Sequence, residues 1–247
     1  MRRERFMYKN YVFDVYGTLV DIHTNEYEIA TWQKLAKTLA FYDVNYTAEE
    51  LKEAYFMSCD LQMKQGEKKF QRPEVDVVEV FRHIFANKNK KASKTLATHL
   101  AQEFRAFSTE RLALYNGVIE TLNKLKRAKK KLFILSNAQR CFTRPELVKL
   151  GIAKYFAGIV YSSDYGCAKP DPALFNVLTD KYKLDKKETV YIGNDPLTDV
   201  DGAKNAKIDC LWIKTNLTDY DQSPKLSPKY EISNGDFTQV AQLLLKK

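Results

Sequence analysis

The sequence predicts an α/β protein, a parallel sheet with helices on both faces, interrupted early by an all-helical insertion. Three textures predict it. Residues 8–21 read as a buried strand followed by a loop. From about 25 to 110, apolar residues recur in steps of three and four, the period of helices that pack on one face. From about 112 onward, short apolar runs alternate with helical stretches, the order that builds a parallel sheet.

The first strand is Tyr11-Val12-Phe13. It runs straight into Asp14, and Gly17-Thr18 marks the turn that follows. One carboxylate is thereby left at the carboxyl end of a strand, where ligands bind in open α/β sheets. In the helical block, Ile29, Trp32, Leu35, Ala36 and Leu39 line one face. Thr47, with Glu50 three residues on, forms a capping box for a second helix carrying Leu51, Ala54, Tyr55 and Met63. Pro73 opens a third helix with Val77, Val78, Phe81, Ile84 and Phe85, and Leu96, Leu100, Phe104 and Phe107 mark a fourth. No strand is evident in this block. The later strands are Leu132–Leu135, Gly158–Tyr161, Thr189–Ile192 and Cys210–Ile213. Helices fit at about 117–129, 144–150, 171–182 and 199–206. Residues 216–229, with two prolines, form a surface loop, and Tyr230-Glu231-Ile232 and 237–245 add a short strand and a closing helix.

Composition narrows the functional classes. The chain has 247 residues, 45% hydrophobic and 29% charged, enough for a sizeable core. The formal net charge is +9, but the lysines are scattered and no Arg-rich helix or nucleic-acid motif accompanies them. Solvated faces, not a nucleic-acid partner, account for them. Cys59, Cys141, Cys167 and Cys210 lie far apart with no C-x-x-C pair, which argues against a zinc site or a disulfide framework. Met1-Arg2-Arg3-Glu4-Arg5 precedes no apolar run of signal-peptide length. No apolar stretch approaches the ~20 residues of a membrane span. The expectation is a cytoplasmic protein with reduced thiols and no membrane partner.

The chemistry is concentrated at the predicted strand ends. The first strand ends at Asp14, the second at Ser136-Asn137, and a later one at Gly193-Asn194-Asp195, with Asp199 four residues on. Between them, Lys169-Pro170 precedes a helix opened by Pro172. These supply a nucleophilic carboxylate, a hydroxyl donor, a cation and further acids. The set suits displacement at a phosphoryl centre or at carbon: the lysine neutralises charge, and the hydroxyl holds an anionic oxygen.

Those four ordered motifs, Asp14-Val15-Tyr16-Gly17-Thr18, Ser136-Asn137, Lys169-Pro170 and Gly193-Asn194-Asp195 with Asp199, resemble the haloacid dehalogenase superfamily over nearly the whole chain. The resemblance implies a Rossmann-like core, residues 1–22 and 111–247, with a helical cap, residues 23–110, inserted after the first motif. It implies Asp14 as covalent nucleophile, Lys169 as charge clamp, and Ser136 or Thr18 as oxygen binder, with Asn137 and Tyr16 beside the substrate. In the phosphatase branches it implies Mg²⁺, held by Asp14, the Tyr16 carbonyl and the acids around Asn194, Asp195 and Asp199. The function so implied is a Mg²⁺-dependent phosphatase of a small, anionic phosphorylated metabolite.

Two positions depart from the phosphatase pattern. Tyr16 stands where those enzymes usually carry a second Asp, and a phenol with pKa near 10 is a poor base at pH 7. Its side chain has packing as an alternative role. Asn194 occupies the usual position of an acid, and an amide oxygen binds Mg²⁺ more weakly than a carboxylate. Asp195 and Asp199 are the compensating candidates; their alternatives are a helix start for Asp195 and an ion pair with Lys169 for Asp199. The dehalogenase branch shares Asp14-Val15-Tyr16 and uses no metal, so hydrolysis of a 2-haloacid is the enzymatic alternative, although Phe175 stands where that branch has Tyr. A phosphate-binding module without catalysis is the alternative outside enzymes. His23, Trp32, Tyr55, Phe56, Arg140 and Arg144 are lesser candidates, each with packing or a solvated surface as its ordinary role.

Overall fold

A computed structural model describes residues 8–245. The charged Met1–Arg5 stretch lies outside the described residues. At the centre of the main sheet is β1 (Asn10–Phe13), hydrogen-bonded in parallel to β4 (Lys131–Ser136) on one side and β6 (Thr189–Gly193) on the other. β5 (Gly158–Tyr161) extends the first side; β7 (Asp209–Ile213) and β8 (Tyr230–Ile232) extend the second. All six strands are parallel, in the order β5-β4-β1-β6-β7-β8. Chain direction therefore diverges on either side of β1, which makes its carboxyl end the ligand-binding switch point of the sheet.

The near-continuous apolar strands follow from burial on both faces. Tyr11, Phe13, Leu132, Ile134, Val190 and Ile192 face α5 (Val118–Arg127) and α9 (Thr238–Leu244), through Leu122, Leu125, Val240 and Leu244. Their alternates Val12, Phe133, Leu135, Tyr191 and Cys210 face α7 (Pro172–Tyr182) and α8 (Gly202–Asn205), through Leu174, Phe175, Leu178 and Ala203. The period of two thus divides each strand between two separate clusters.

The inserted helices are α1 (Ile29–Ala40), α2 (Ala48–Gly66), α3 (Val77–Ala86) and α4 (Lys94–Ser108). They bury a third cluster of their own around Trp32, Leu35, Tyr55, Phe81 and Phe104. The Thr47–Glu50 capping box forms as expected: Thr47 Oγ1 accepts from the Glu50 amide and the Glu50 carboxylate from the Thr47 amide. Trp32 and Tyr55 are core residues here, and Phe56 packs against both and stacks on Tyr27.

Three features differ from the sequence expectation. β2 (Val20–Thr24) and β3 (Thr109–Leu114) form an antiparallel ribbon joining the helical insertion to the sheet. The expected junctions at 22/23 and 110/111 fall inside it. Pro73 opens no helix: it forms an antiparallel bridge with Cys167, and α3 starts only at Val77, capped by Asp76. The helix expected at 144 begins at Arg140 as α6 (Arg140–Lys149), with Pro145 in its interior. Proline has no N–H to bond the carbonyl four residues back. Here that carbonyl, Cys141 O, accepts instead from Gln102 Nε2 of α4 at 3.0 Å.

Candidate active site

Asp14 leaves β1 with its amide still bonded to the Ile192 carbonyl at 3.0 Å, so the carboxylate is held by the sheet ladder itself. Its Oδ1 accepts from Lys169 Nζ at 2.7 Å. Lys169 is fully enclosed, and its ammonium meets two more acceptors: Asp199 Oδ1 at 2.6 Å and the Tyr191 hydroxyl at 2.8 Å. Three acceptors match the three hydrogens of an ammonium group. Asn137 fixes the lysine from behind: its Oδ1 accepts from the Lys169 amide at 2.7 Å, and its Nδ2 donates to the Lys169 carbonyl at 3.1 Å. The sequence placed Asn137 beside the substrate; both polar atoms of its side chain instead brace the lysine loop.

Burial and charge set the ionisation of this cluster. Burial favours the neutral amine at Lys169, but the carboxylates of Asp14 and Asp199 outweigh it and hold its pKa above the ordinary value. Burial, reinforced by the Asp14 charge, raises the Asp199 carboxyl to about 6 although Lys169 opposes the shift. Burial and the neighbouring Asp199 raise the Tyr191 phenol well above its usual value, so it stays a neutral hydroxyl. Because Asp199 is raised on folding, folding takes up protons between about pH 4, its unfolded value, and about pH 6. The contribution to stability is present below that window and lost as pH rises through it. Asp199→Asn should remove that slope; equal slopes in urea denaturation at pH 4–6 for the variant and the parent would contradict it.

The motif-four residues take other positions than the sequence assigned to them. Asp195 caps a π-helical turn, Pro196–Asp201, with Oδ1 accepting from the amides of Leu197 and Thr198 at 3.0 and 2.6 Å. Asp199, assigned to metal, has Oδ1 on Lys169 and Tyr191 and Oδ2 on the Asp195 amide at 2.9 Å. Its charge balances the lysine; Oδ1 is taken by two donors, and Oδ2 keeps one acceptor site. Asn194 Oδ1 accepts from Thr18 Oγ1 at 3.1 Å, Nδ2 donates to Leu217 O, and the backbone carbonyl accepts from Trp212 Nε1. Thr18, expected to hold a substrate oxygen, is completely buried and supports this loop instead. Among the described residues, no group of three or more His, Cys, Asp or Glu is gathered as a metal cage.

Gly17 is what lets the first and fourth motifs meet. Its φ is +82°, and a Cβ there would stand 2.4 Å from the Asn194 side chain. Its carbonyl accepts from Thr215 Oγ1 at 2.7 Å. Gly17→Ala should therefore destabilise by about 2–4 kcal/mol, from left-handed strain plus overpacking. Urea denaturation checks this; a loss below about 1 kcal/mol would mean that the loop can shift freely.

Ser136 is buried at the carboxyl end of β4, the strand beside β1. Tyr16 turns the other way. Its hydroxyl meets Thr143 Oγ1 at 2.8 Å and donates to Glu146 Oε2 on α6. The Arg105 guanidinium of α4 lies 5.2 Å from its ring centroid and bonds Glu146 Oε1 at 2.8 Å. Burial first, then the Glu146 charge, pushes this phenol up. The packing alternative thus describes the Tyr16 side chain. His23 is paired with Glu110 on the exposed ribbon, and Arg140 with Asp164. Tyr191 had no place among the candidates. The available signal was a lone hydroxyl in a strand buried on both faces, which must find a partner.

No helix among the described residues is long and apolar enough to cross a membrane. Phosphoserine phosphatase of Thermus thermophilus is 30% identical over 144 residues, 58% of this chain and 56% of that protein. The chain thus spans about half the length of that curated relative. The solved 2-haloacid dehalogenase from Pseudomonas syringae pv. Tomato shares the fold at a TM-score of 0.66 and 23% identity, covering 97% of this chain and 99% of that one. The HAD-hydrolase YfnB from Bacillus subtilis, bound to magnesium, does so at a TM-score of 0.57 and 21% identity, with the same coverage. The family model described as haloacid dehalogenase-like hydrolase matches residues 11–213. With that match over most of its length and a carboxylate–lysine pair at the switch point of its parallel sheet, the chain belongs to the haloacid dehalogenase-like hydrolases.

Proposed function

We propose that this hydrolase is a phosphatase of a small phosphorylated metabolite, working through an aspartyl-phosphate on Asp14. The observation that carries the proposal is the Asp14–Lys169 contact: one carboxylate oxygen is fixed by a buried ammonium, and the other is left to attack phosphorus. The phosphatase relative supports phosphorus over carbon as the centre attacked. In the first step Asp14 forms an O–P bond as the bond to the leaving oxygen breaks, and the electron pair departs with that oxygen. Water then attacks phosphorus, the Asp14 carboxylate is restored, and the proton of water passes to solvent. Ser136, at the adjoining strand end, is the donor assigned to a phosphoryl oxygen. Helices α1–α4, residues 23–110 with the ribbon as their stem, form the cap that shields the reaction from water.

Mg²⁺ fits a reduced ligand set. Asp199 has Oδ1 committed to Lys169 and Tyr191 and could reach a cation only through Oδ2, which already accepts from the Asp195 amide. Asp14, the Tyr16 carbonyl, the Asn194 amide oxygen and Asp195, whose Oδ2 lies outside its capping bonds, would hold it, with water completing the shell. A bound Mg²⁺ supplies positive charge that lowers the repulsion between a carboxylate and an incoming phosphate. One observation, the tyrosine at position 16, favours dehalogenation of a 2-haloacid instead. A screen of phosphate esters and 2-haloacids with Mg²⁺ and with excess chelator separates the readings. Phosphate release that chelator abolishes supports the phosphatase, halide release in chelator rejects it, and no turnover of either class favours the binding module.

A further inference from the structure

When a phosphoryl group is displaced, the leaving oxygen gains negative charge as its bond to phosphorus breaks. An alkoxide needs a proton in that step. A phenolate, a carboxylate or a phosphate does not. A general acid must lie within hydrogen-bond reach of the leaving atom.

The acidic groups around Asp14 are all directed elsewhere. Lys169 has its three hydrogens on Asp14, Asp199 and Tyr191. Asp199 accepts at both oxygens; Asp195 accepts from two amides of its own helical turn at Oδ1, and its Oδ2 is the oxygen assigned to Mg²⁺. The Tyr191 hydroxyl is directed at Asp199 and the Leu135 carbonyl inside the sheet. Tyr16 follows the nucleophile by two residues, yet its hydrogen goes to Glu146, and Arg105 and Thr143 hold the phenol on that side. His23, the imidazole nearest in sequence, sits on the ribbon with its side chain 64% exposed, paired with Glu110. None of these carboxyl groups and phenols, nor this imidazole, has an uncommitted proton directed at Asp14.

From this geometry we infer the substrate class: phosphoryl compounds whose leaving group departs unprotonated, namely acyl phosphates, aryl phosphates or phosphoanhydrides, rather than alkyl phosphate esters. The inference rests on the phosphatase reading of the same site. It has a second consequence. With Asp195 Oδ2 on Mg²⁺, the water that cleaves the aspartyl-phosphate finds none of these side chains free to act as its base, so phosphorylated Asp14 accumulates during turnover.

The test uses the full chain with Mg²⁺ and a series of ring-substituted phenyl phosphates, which vary leaving-group basicity at nearly constant shape. Rapid mixing reads the first burst of phenol release. The burst rate should fall about 10²-fold or more from 4-nitrophenyl to unsubstituted phenyl phosphate. Glycerol phosphate should be slower again by about the same factor, the range a general acid normally supplies. Burst rates within about threefold across the phenyl series, or glycerol phosphate turned over as fast as 4-nitrophenyl phosphate, would overturn the inference while leaving the phosphatase intact. Absence of phenol release from every member would reject the phosphatase reading, and the inference with it.

Discussion

Asp14→Asn is expected to lower phosphatase turnover by about three orders of magnitude or more, with the fold retained. An amide oxygen is not a competent nucleophile toward phosphorus. The fold should persist because the backbone bond from residue 14 to the Ile192 carbonyl does not depend on the side chain. The Asn Oδ1 can still accept from Lys169, which keeps Asp199 and Tyr191 as its other partners. Turnover of purified variant and parent, with thermal melts of both, checks this. Retention of more than about a tenth of the parent turnover would rule out covalent attack by Asp14.

Lys169→Met should abolish turnover and also cost about 3–5 kcal/mol of stability, the range for removing one partner of a buried ion pair. The lysine is the only cation bonded to Asp14 and Asp199 among the described residues, and all three are buried. Without it, two buried carboxylates face one another with no counter-charge between them. The charge argument can be isolated with a second variant. Adding Asp199→Asn to Lys169→Met removes one of the repelling acids and should recover part of the lost stability. Urea denaturation of the two variants reads this directly. A single variant within about 1 kcal/mol of the parent, or a double variant less stable than the single, would show that the cluster is not held by charge balance.

The sheet was legible because its strands are buried on both faces. Runs such as Leu132–Leu135 and Thr189–Ile192 stand out from the polar stretches around them, and β4, β5, β6 and β7 fall where those runs lie. The Thr47–Glu50 box was legible because capping is local. The ribbon was not. Thr109–Leu114 continues the texture of the preceding helix and becomes a strand only because Val20–Thr24 lies across from it, a partner about ninety positions earlier. Pro73 has the local look of a helix start, but the loop at Cys167 captures it.

At the site, residue types and strand ends could be read from sequence, but the direction of side chains could not. Asp195 and Asp199 both present as acids of a fourth motif. Only the turn geometry shows that one caps a helical turn and the other neutralises a lysine thirty positions away. Tyr16 sits in the first motif, but Glu146 and Arg105, far along the chain, decide where its hydroxyl goes. Tyr191 shows the same limit from the other side. A tyrosine in an apolar strand is ordinary until a buried ammonium is found 2.8 Å from its oxygen.

The central claim is that Asp14 becomes covalently phosphorylated during turnover, and one measurement addresses it directly. The enzyme is mixed with 4-nitrophenyl phosphate and Mg²⁺, quenched in acid within the first turnover, digested, and the peptide containing Asp14 is weighed. That peptide should carry the mass of one phosphoryl group, lose it on mild alkaline treatment as an acyl phosphate does, and remain unmodified in Asp14→Asn. Phenol release at the parent rate with the Asp14 peptide unmodified at every quench time would contradict the claim and place the attacking oxygen on water.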